Sequence, residues 1–288
     1  MLIKFYGVRG SIASPGPETV RYGGNTACVY VEGDDGSLIV FDAGTGIKAL
    51  GEELLKKSSN KSLNLLFSHY HWDHIQGFPF FLPVYQKNQV INLLTDHLDD
   101  NNVHSVLTQM IDPHFPVPSD KLAAKVNILS TQANSIQIGE NRIETKSINH
   151  RGGGSAYLLR TLSGSSMAYV TDNELDPPNE QVTTYQEWVE FLHGIDFLIH
   201  DAMYLDEELD RIHGWGHSLI SQTLQLAADA QVANLVLFHH DPSRTDDQLD
   251  EIKQSSQNWM KENYPRCNVH VATEGTVYTI LEREVSEL

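Results

Sequence analysis

Three short apolar runs open the chain, at residues 2–6, 27–32 and 37–41, separated by segments rich in Gly, Pro and Asp. Runs of that length between turn-forming residues predict β-strands. The spacing turns helical over about 45–57, and 63–67 reads as a further buried strand. Residues 74–85 are mostly apolar but carry prolines, which predicts a helix that starts there and then breaks. The polar stretch 96–121 ends with Pro113, Pro116 and Pro118, so a helix followed by an extended loop, serving as a lid, is expected.

The second half repeats this rhythm. Strands are expected at 125–129, 142–148, 156–161 and 167–171, then a helix near 183–193 and a strand at 197–200. Leu219, Ile220, Thr223, Leu224 and Ala227 recur at helical spacing, so 218–230 reads as a helix with Ser218 as N-cap. A strand at 234–238 follows. Thr245 with Gln248 forms a capping-box pattern ahead of Leu249, Ile252, Ser256 and Trp259. Strands at 268–272 and 276–281 close the chain. Strands and helices alternate in both halves with no linker or repeat between them. The expectation is an α/β chain, residues 1–288 as one domain, with two mixed sheets sandwiched between helical layers.

Composition narrows the function. Lys and Arg number 20 against 38 Asp and Glu, a formal net charge of −18. General affinity for nucleic acid is therefore not expected, because polyanions are gripped by Lys/Arg clusters. Bound divalent cations would reverse the local sign where an anionic substrate must sit. No apolar stretch is long enough to span a bilayer, and the N-terminus has no signal-peptide layout. The two cysteines, Cys28 and Cys267, have no Cys-x-x-Cys spacing, so buried thiols in a reduced cytoplasmic setting are expected.

The chemistry concentrates in His69-Tyr70-His71-Trp72-Asp73-His74. His69 and His71 are two residues apart at a strand end, so their side chains point the same way. Asp73 and His74 follow in the turn. Three imidazoles and a carboxylate within six residues suit zinc, manganese or iron. Residues 7–11 are no phosphate-binding P-loop, because no Gly-Lys-Ser/Thr follows.

With this run, Phe5-Tyr6-Gly7-Val8-Arg9-Gly10-Ser11, Gly23-Gly24-Asn25-Thr26 and Phe41-Asp42-Ala43-Gly44-Thr45-Gly46 make the chain resemble the metallo-β-lactamase superfamily. The narrower likeness is to its phosphodiesterase-like branch, which includes cyclic-phosphate phosphodiesterases and tRNA-maturing endonucleases. The resemblance implies a four-layer αββα sandwich with the site at the sheet edges, and a homodimer. It implies two divalent ions per chain, zinc or manganese first and iron as a third option. His69, His71 and His150 would hold one ion; Asp73, His74 and His239 the other; Asp172 would bridge them. Each of the later positions ends a predicted β-run. At His239-His240 adjacent residues face opposite ways, so only one of the two should coordinate.

The same branch pairs an acid with a histidine beside the metals, and Asp201 and His217 match those positions. Asp201 would orient His217, which would protonate the leaving group; Asp73 joins them among the expected catalytic residues. The reading is a phosphodiesterase for a small cyclic phosphate or nucleotide, acting through a hydroxide that bridges the ions. The alternatives are hydrolysis of an ester, lactone or thioester, tRNA processing, and non-catalytic metal binding. Arg9 and Arg151 are the cations best placed for a substrate phosphate, with an ion pair to an acid as the competing role. His104, His114 and His200 have no assigned role, and Phe115, Pro116 and Trp215 are candidates to wall a pocket.

Overall fold

The structure, a computed structural model, describes residues 1–57, 61–94, 121–129, 134–178, 181–281 and 283–288. The lid expected over 96–121, with His104, His114, Phe115 and Pro116, lies outside the described residues except for Lys121. Strands of the first half are β1 (Leu2–Gly7), β2 (Cys28–Glu32), β3 (Leu38–Phe41), β4 (Leu63–Leu66), β5 (Val90–Leu94) and β6 (Lys125–Leu129). The second half adds β7 (Ser135–Ile138), β8 (Asn141–Ser147), β9 (Ser155–Arg160), β10 (Ser166–Val170) and β11 (Phe197–Asp201). Then come β12 (Asn234–Phe238), β13 (Asn268–Val271), β14 (Val277–Leu281) and β15 (Glu284–Glu287). The helices are α1 (Ile47–Lys56), α2 (Trp72–Ile75), α3 (Tyr185–Phe191), α4 (Leu209–Ile212), α5 (Ile220–Asp229) and α6 (Asp246–Asn263).

Among the described residues the strands form two mixed sheets, ordered β15-β14-β1-β2-β3-β4-β5-β6 and β13-β12-β11-β10-β9-β8-β7. Strands β3 to β6 run parallel in the first sheet, and β10 to β13 in the second. Side-chain alternation sets the layers. Ile39 and Phe41 of β3, Met167 and Tyr169 of β10, and Val236 and Phe238 of β12 fill the space between the sheets. Their neighbours Leu38 and Val40 face outward to α1, while Ala168, Val170, Leu235 and Leu237 face α3, α5 and α6. The result is the αββα sandwich. Each fully buried Val, Leu, Ile or Phe contributes about 1.5–3 kcal/mol, so the layer between the sheets and the two helix-facing layers all add to cohesion.

Polar groups set register where apolar packing would tolerate a slip. Asn127 Nδ2 donates to Asn92 Oδ1 and Asn92 Nδ2 to Asn64 Oδ1, both at 2.9 Å, while Asn64 Nδ2 donates to the Leu38 carbonyl at 2.9 Å. A one-residue shift of β4, β5 or β6 would break this ladder and turn the side chains to the wrong face.

Several elements differ from the sequence expectation. The helix expected to start near 74 and then break is the short α2, which begins slightly earlier at Trp72 and gives way to single 3₁₀ turns at Phe78–Phe80 and Leu82–Tyr85, each with Pro in its first positions. Proline suits a first turn but cannot extend one. Strands β5, β7 and β15 were not anticipated; β7 and β15 are short, mostly unburied partners whose pairing supplies their order. Helix α5 starts after Leu219, and Ser218 is no cap, since its hydroxyl donates to the Asn173 carbonyl at 2.6 Å. Thr245 does cap α6, accepting from the Gln248 amide at 3.3 Å. Cys28 and Cys267 are buried free thiols. Among the described residues no helix is long and apolar enough to cross a membrane.

Arg9 serves neither role weighed for it. Its side chain is fully buried and donates to the carbonyls of Gly23 at 2.8 Å, Asp241 at 3.2 Å and Arg244 at 2.7 Å. It clips three loops together beneath the sheet edge, whereas Arg151 is exposed. Replacing Arg9 with Leu would leave those carbonyls buried without a donor. The expected loss of unfolding free energy is about 2–4 kcal/mol, the scale of one or two charge-assisted bonds. A denaturant titration with an unchanged midpoint would contradict this account of Arg9.

Candidate metal centre

Parallel strands deliver their carboxyl ends to one edge, which is where open α/β sheets place their ligand sites. Asp42 follows β3, the histidine run follows β4, Asp172 lies just beyond β10, Asp201 ends β11, and His239 follows β12. Asp42, Asp172 and His239 adopt left-handed backbone, with φ of 59°, 51° and 60°. Such a conformation costs a non-glycine residue on the order of 1–3 kcal/mol and persists where its surroundings impose it. Here it bends the chain at the strand end and leaves the side chain inside the edge.

The side chains meet around Asp172, which is buried. Its Oδ1 lies 3.1 Å from Nε2 of both His74 and His239; its Oδ2 lies 3.6 Å from His69 Nε2 and 3.7 Å from His150 Nε2. The seven expected ligands thus fall into two groups, His69, His71, His150 and Asp172, and Asp73, His74, Asp172 and His239, and a third overlapping cluster joins Asp172 and His239 to Asp201 and His217. Within each group, one ligand atom per residue lies within 4.8 Å of the others. All seven residues singled out from the sequence are brought together.

The outer ring nitrogens show which atoms are free to coordinate. His74 Nδ1 donates to Asp42 at 2.7 Å, His69 Nδ1 meets the Ser68 hydroxyl at 3.1 Å, and His150 Nδ1 donates to the Gly216 carbonyl at 2.9 Å. Their Nε2 lone pairs therefore converge. His150 Nε2 lies 3.0 Å from His71 Nδ1, and His74 Nε2 lies 3.3 Å from His239 Nε2. Nε2 of His69 is buried with no hydrogen-bond partner among the described residues. Lone pairs facing one another in a buried site fit a shared cation. Burial alone would raise the Asp172 pKa, but the charges of His239, His74 and His69 hold it well below the ordinary range. For His74, burial lowers the pKa, yet Asp73, Asp172 and Asp42 together raise it well above 6.5. The cluster is suited to hold a metal ion, which would supply the positive charge these carboxylates demand.

The His239-His240 ambiguity resolves geometrically. His239 Nε2 is 3.2 Å from Asp73 Oδ2, whereas His240 turns away and donates from Nε2 to the Ala272 carbonyl at 2.9 Å. Burial pushes the His240 pKa down to about 3. Gly10 leaves the space that His239 occupies, since a Cβ there would stand 2.5 Å from Nδ1 of that ring. His200 is apart from the cluster, its Nδ1 donating to the Asp201 carbonyl at 2.7 Å.

His217 stands beside both groups. Its ring stacks on His239 with centroids 5.1 Å apart and lies 5.3 Å from His150. Its Nδ1 is 2.7 Å from Asp201 Oδ2. Burial lowers the His217 pKa, but Asp201, with smaller contributions from Asp172 and Asp73, outweighs burial and raises it to about 9.

Sequence reasoning passed over the groups that hold these side chains. Asp42 accepts from the Ser68 amide and hydroxyl, His74 Nδ1 and the Tyr169 hydroxyl, all at 2.7–2.8 Å. Its position directly after a buried β-run, like that of the proposed ligands, was the available signal. Glu174, Asn149 and Asn173 brace the neighbouring loops and carried no such mark.

A family model described as the beta-lactamase superfamily domain matches residues 38–240. The chain belongs to the beta-lactamase superfamily. It is thereby placed among metal-dependent hydrolases. The Ribonuclease Z of Halalkalibacterium halodurans is 37% identical over 73 residues, which are 25% of this chain and 23% of that protein. The Ribonuclease Z of Haloarcula marismortui is 22% identical, with 83% of this chain and 86% of that one aligned. Among solved structures, the metallo-beta-lactamase fold protein YhfI from Bacillus subtilis matches with a TM-score of 0.67 at 16% identity, covering 96% of this chain and 99% of that one. At that identity the superfamily likeness is one of fold.

Metal analysis tests the centre. After loading and desalting, two divalent ions per chain are expected. The His71→Ala variant should retain about one, and Asp172→Ala less than one, because its oxygens serve both groups. A wild-type content below one would refute a two-ion site.

Proposed function

We propose that this superfamily hydrolase is a phosphodiesterase for a small cyclic phosphate or nucleotide, the whole chain acting as one domain. The observation that carries the reading is the Asp201–His217 pair, 2.7 Å apart and packed against proposed ligands of both groups. A proton donor matters most where a basic alkoxide leaves, as it does from a cyclic phosphodiester, whereas a thioester expels a stable thiolate that needs no such help. Two divalent cations held by His69, His71, His150, Asp172, Asp73, His74 and His239 would activate water and neutralise the phosphoryl oxygens. Zinc and manganese fit this nitrogen and oxygen donor set best.

The remaining work belongs to the chain's own groups. Asp201 accepts the Nδ1 proton of His217 and so fixes the ring's orientation. Nε2 is then the atom that can hand a proton to the leaving oxygen. The Asp201 carboxylate beside Nδ1 favours the protonated ring, so the ring can carry that proton. Asp73 is steadied by the Ser11 amide, which donates to its Oδ2 at 2.7 Å.

The Ribonuclease Z relatives favour a second reading, cleavage of precursor RNA. The net charge of −18 weighs against it, because RNA binding rewards Lys/Arg clusters. A small substrate needs no such surface. The buried free thiols support a reducing, cytoplasmic setting, and a homodimer belongs to the same reading.

Metal-loaded protein is expected to hydrolyse a 2′,3′-cyclic nucleotide and bis(p-nitrophenyl) phosphate. The His217→Ala variant should lose about 10²–10⁴-fold in kcat on the cyclic nucleotide. It should lose far less on the aryl diester, whose leaving group departs as a stable anion, with metal content unchanged. No turnover of either substrate by the wild type, beside clean cleavage of a tRNA precursor, would transfer the assignment to RNA processing.

A further inference from the structure

Glu174 is buried, and its Oε1 lies 3.9 Å from Nε2 of the partly exposed His213. Its Oε1 accepts from the Gly214 amide at 2.7 Å and its Oε2 from the Gly216 amide at 2.9 Å. Both glycines have left-handed backbone, with φ of 88° and 86°. That geometry turns alternate amides to one side and makes a concavity that binds an anion. The anion here is internal.

The clamped turn has two outputs. The Gly216 carbonyl accepts from His150 Nδ1 at 2.9 Å, so it orients a proposed ligand of the first group. A Cβ on Gly216 would lie 2.1 Å from that nitrogen, which shows how closely the backbone approaches the ring. The next residue is His217, whose ring reaches Asp201. The base of the clamp is itself braced. Asn149 Nδ2 donates to the Glu174 carbonyl at 3.1 Å, Asn173 Oδ1 accepts from the Asn149 amide at 2.9 Å, and Ser218 Oγ donates to the Asn173 carbonyl at 2.6 Å.

We propose that Glu174 is a positioning residue: by gripping the Gly214 and Gly216 amides it makes one short turn align both His150 and the proton donor His217. This inference rests on the phosphodiesterase reading. It adds that ligand orientation and proton delivery are coupled through a single carboxylate, so that one substitution distant from the substrate disturbs both.

The test compares Glu174→Ala and Glu174→Gln with wild type, using full-length protein at saturating zinc or manganese. It measures kcat and KM on the 2′,3′-cyclic nucleotide and on bis(p-nitrophenyl) phosphate, and metal affinity by competition with a chelator. For E174A the expected results are a kcat on the cyclic nucleotide reduced about 10–100-fold more than on the aryl diester, KM little changed, and metal affinity weakened about 10–100-fold. In E174Q one amide faces an NH₂ group, so a smaller loss in the same direction is expected. Mere loss of folded protein lowers both substrates equally and leaves their ratio untouched. A wild-type ratio in a folded E174A overturns the proposal; if E174A does not fold, a wild-type ratio in E174Q does so. His217→Ala is run alongside: if it also leaves the ratio unchanged, the phosphodiesterase reading itself has failed, whereas a changed ratio in H217A alone rejects only the role of Glu174.

Discussion

The contact on which the site depends is that of one buried carboxylate with four imidazoles. Asp172 presents Oδ1 to His74 and His239 and Oδ2 to His69 and His150, all within 3.1–3.7 Å. These histidines come from loops after three strands of two sheets. Without that shared partner, converging ring nitrogens would gain nothing from burial, since an unpaired polar group in the interior is costly. The carboxylate lowers the cost, and its charge in turn favours a cation among the rings.

That convergence is possible because of how the sheets end. Parallel strands bring several carboxyl ends to one edge, and left-handed residues at Asp42, Asp172 and His239 finish three of them. The local strain is opposed by hydrogen bonds to the same residues. Asp42 is the clearest case, since its four contacts bind two sequence-distant strands to the ring of His74. Arg9 does comparable work beneath, gathering three loop carbonyls with one buried guanidinium. The site is therefore held from behind by buried charges whose partners are mostly backbone and hydroxyl groups.

The surface and the site pull in opposite electrostatic directions. A chain with net charge −18 disfavours a polyanion at long range, while a metal-loaded edge would attract a single phosphate at short range. The proposed preference for a small phosphodiester follows from that contrast. The raised pKa of His217 belongs to the same pattern, because carboxylates near the ring stabilise its protonated form.

What was legible in the sequence was local. Apolar runs bounded by turn residues located most strands, the Thr245 capping pattern located the start of α6, and the spacing of His69, His71, Asp73 and His74 marked the cluster. Residues separated by long stretches, such as His150 and Asp172, could be matched only through resemblance, because nothing in their own neighbourhood distinguishes a ligand from a strand-end residue. The choice between His239 and His240 was open, since alternation says that they diverge but not which faces the edge. The unanticipated β5, β7 and β15 show a similar limit, because strand pairing acts through neighbours. By itself the sequence determined the composition of the chemistry, the alternating layers and the charge that disfavours polyanions. Only the tertiary structure decided which ring nitrogen points inward, what Arg9, Asp42 and Glu174 hold, and where Ser218 donates, because each depends on groups brought together from distant parts of the chain.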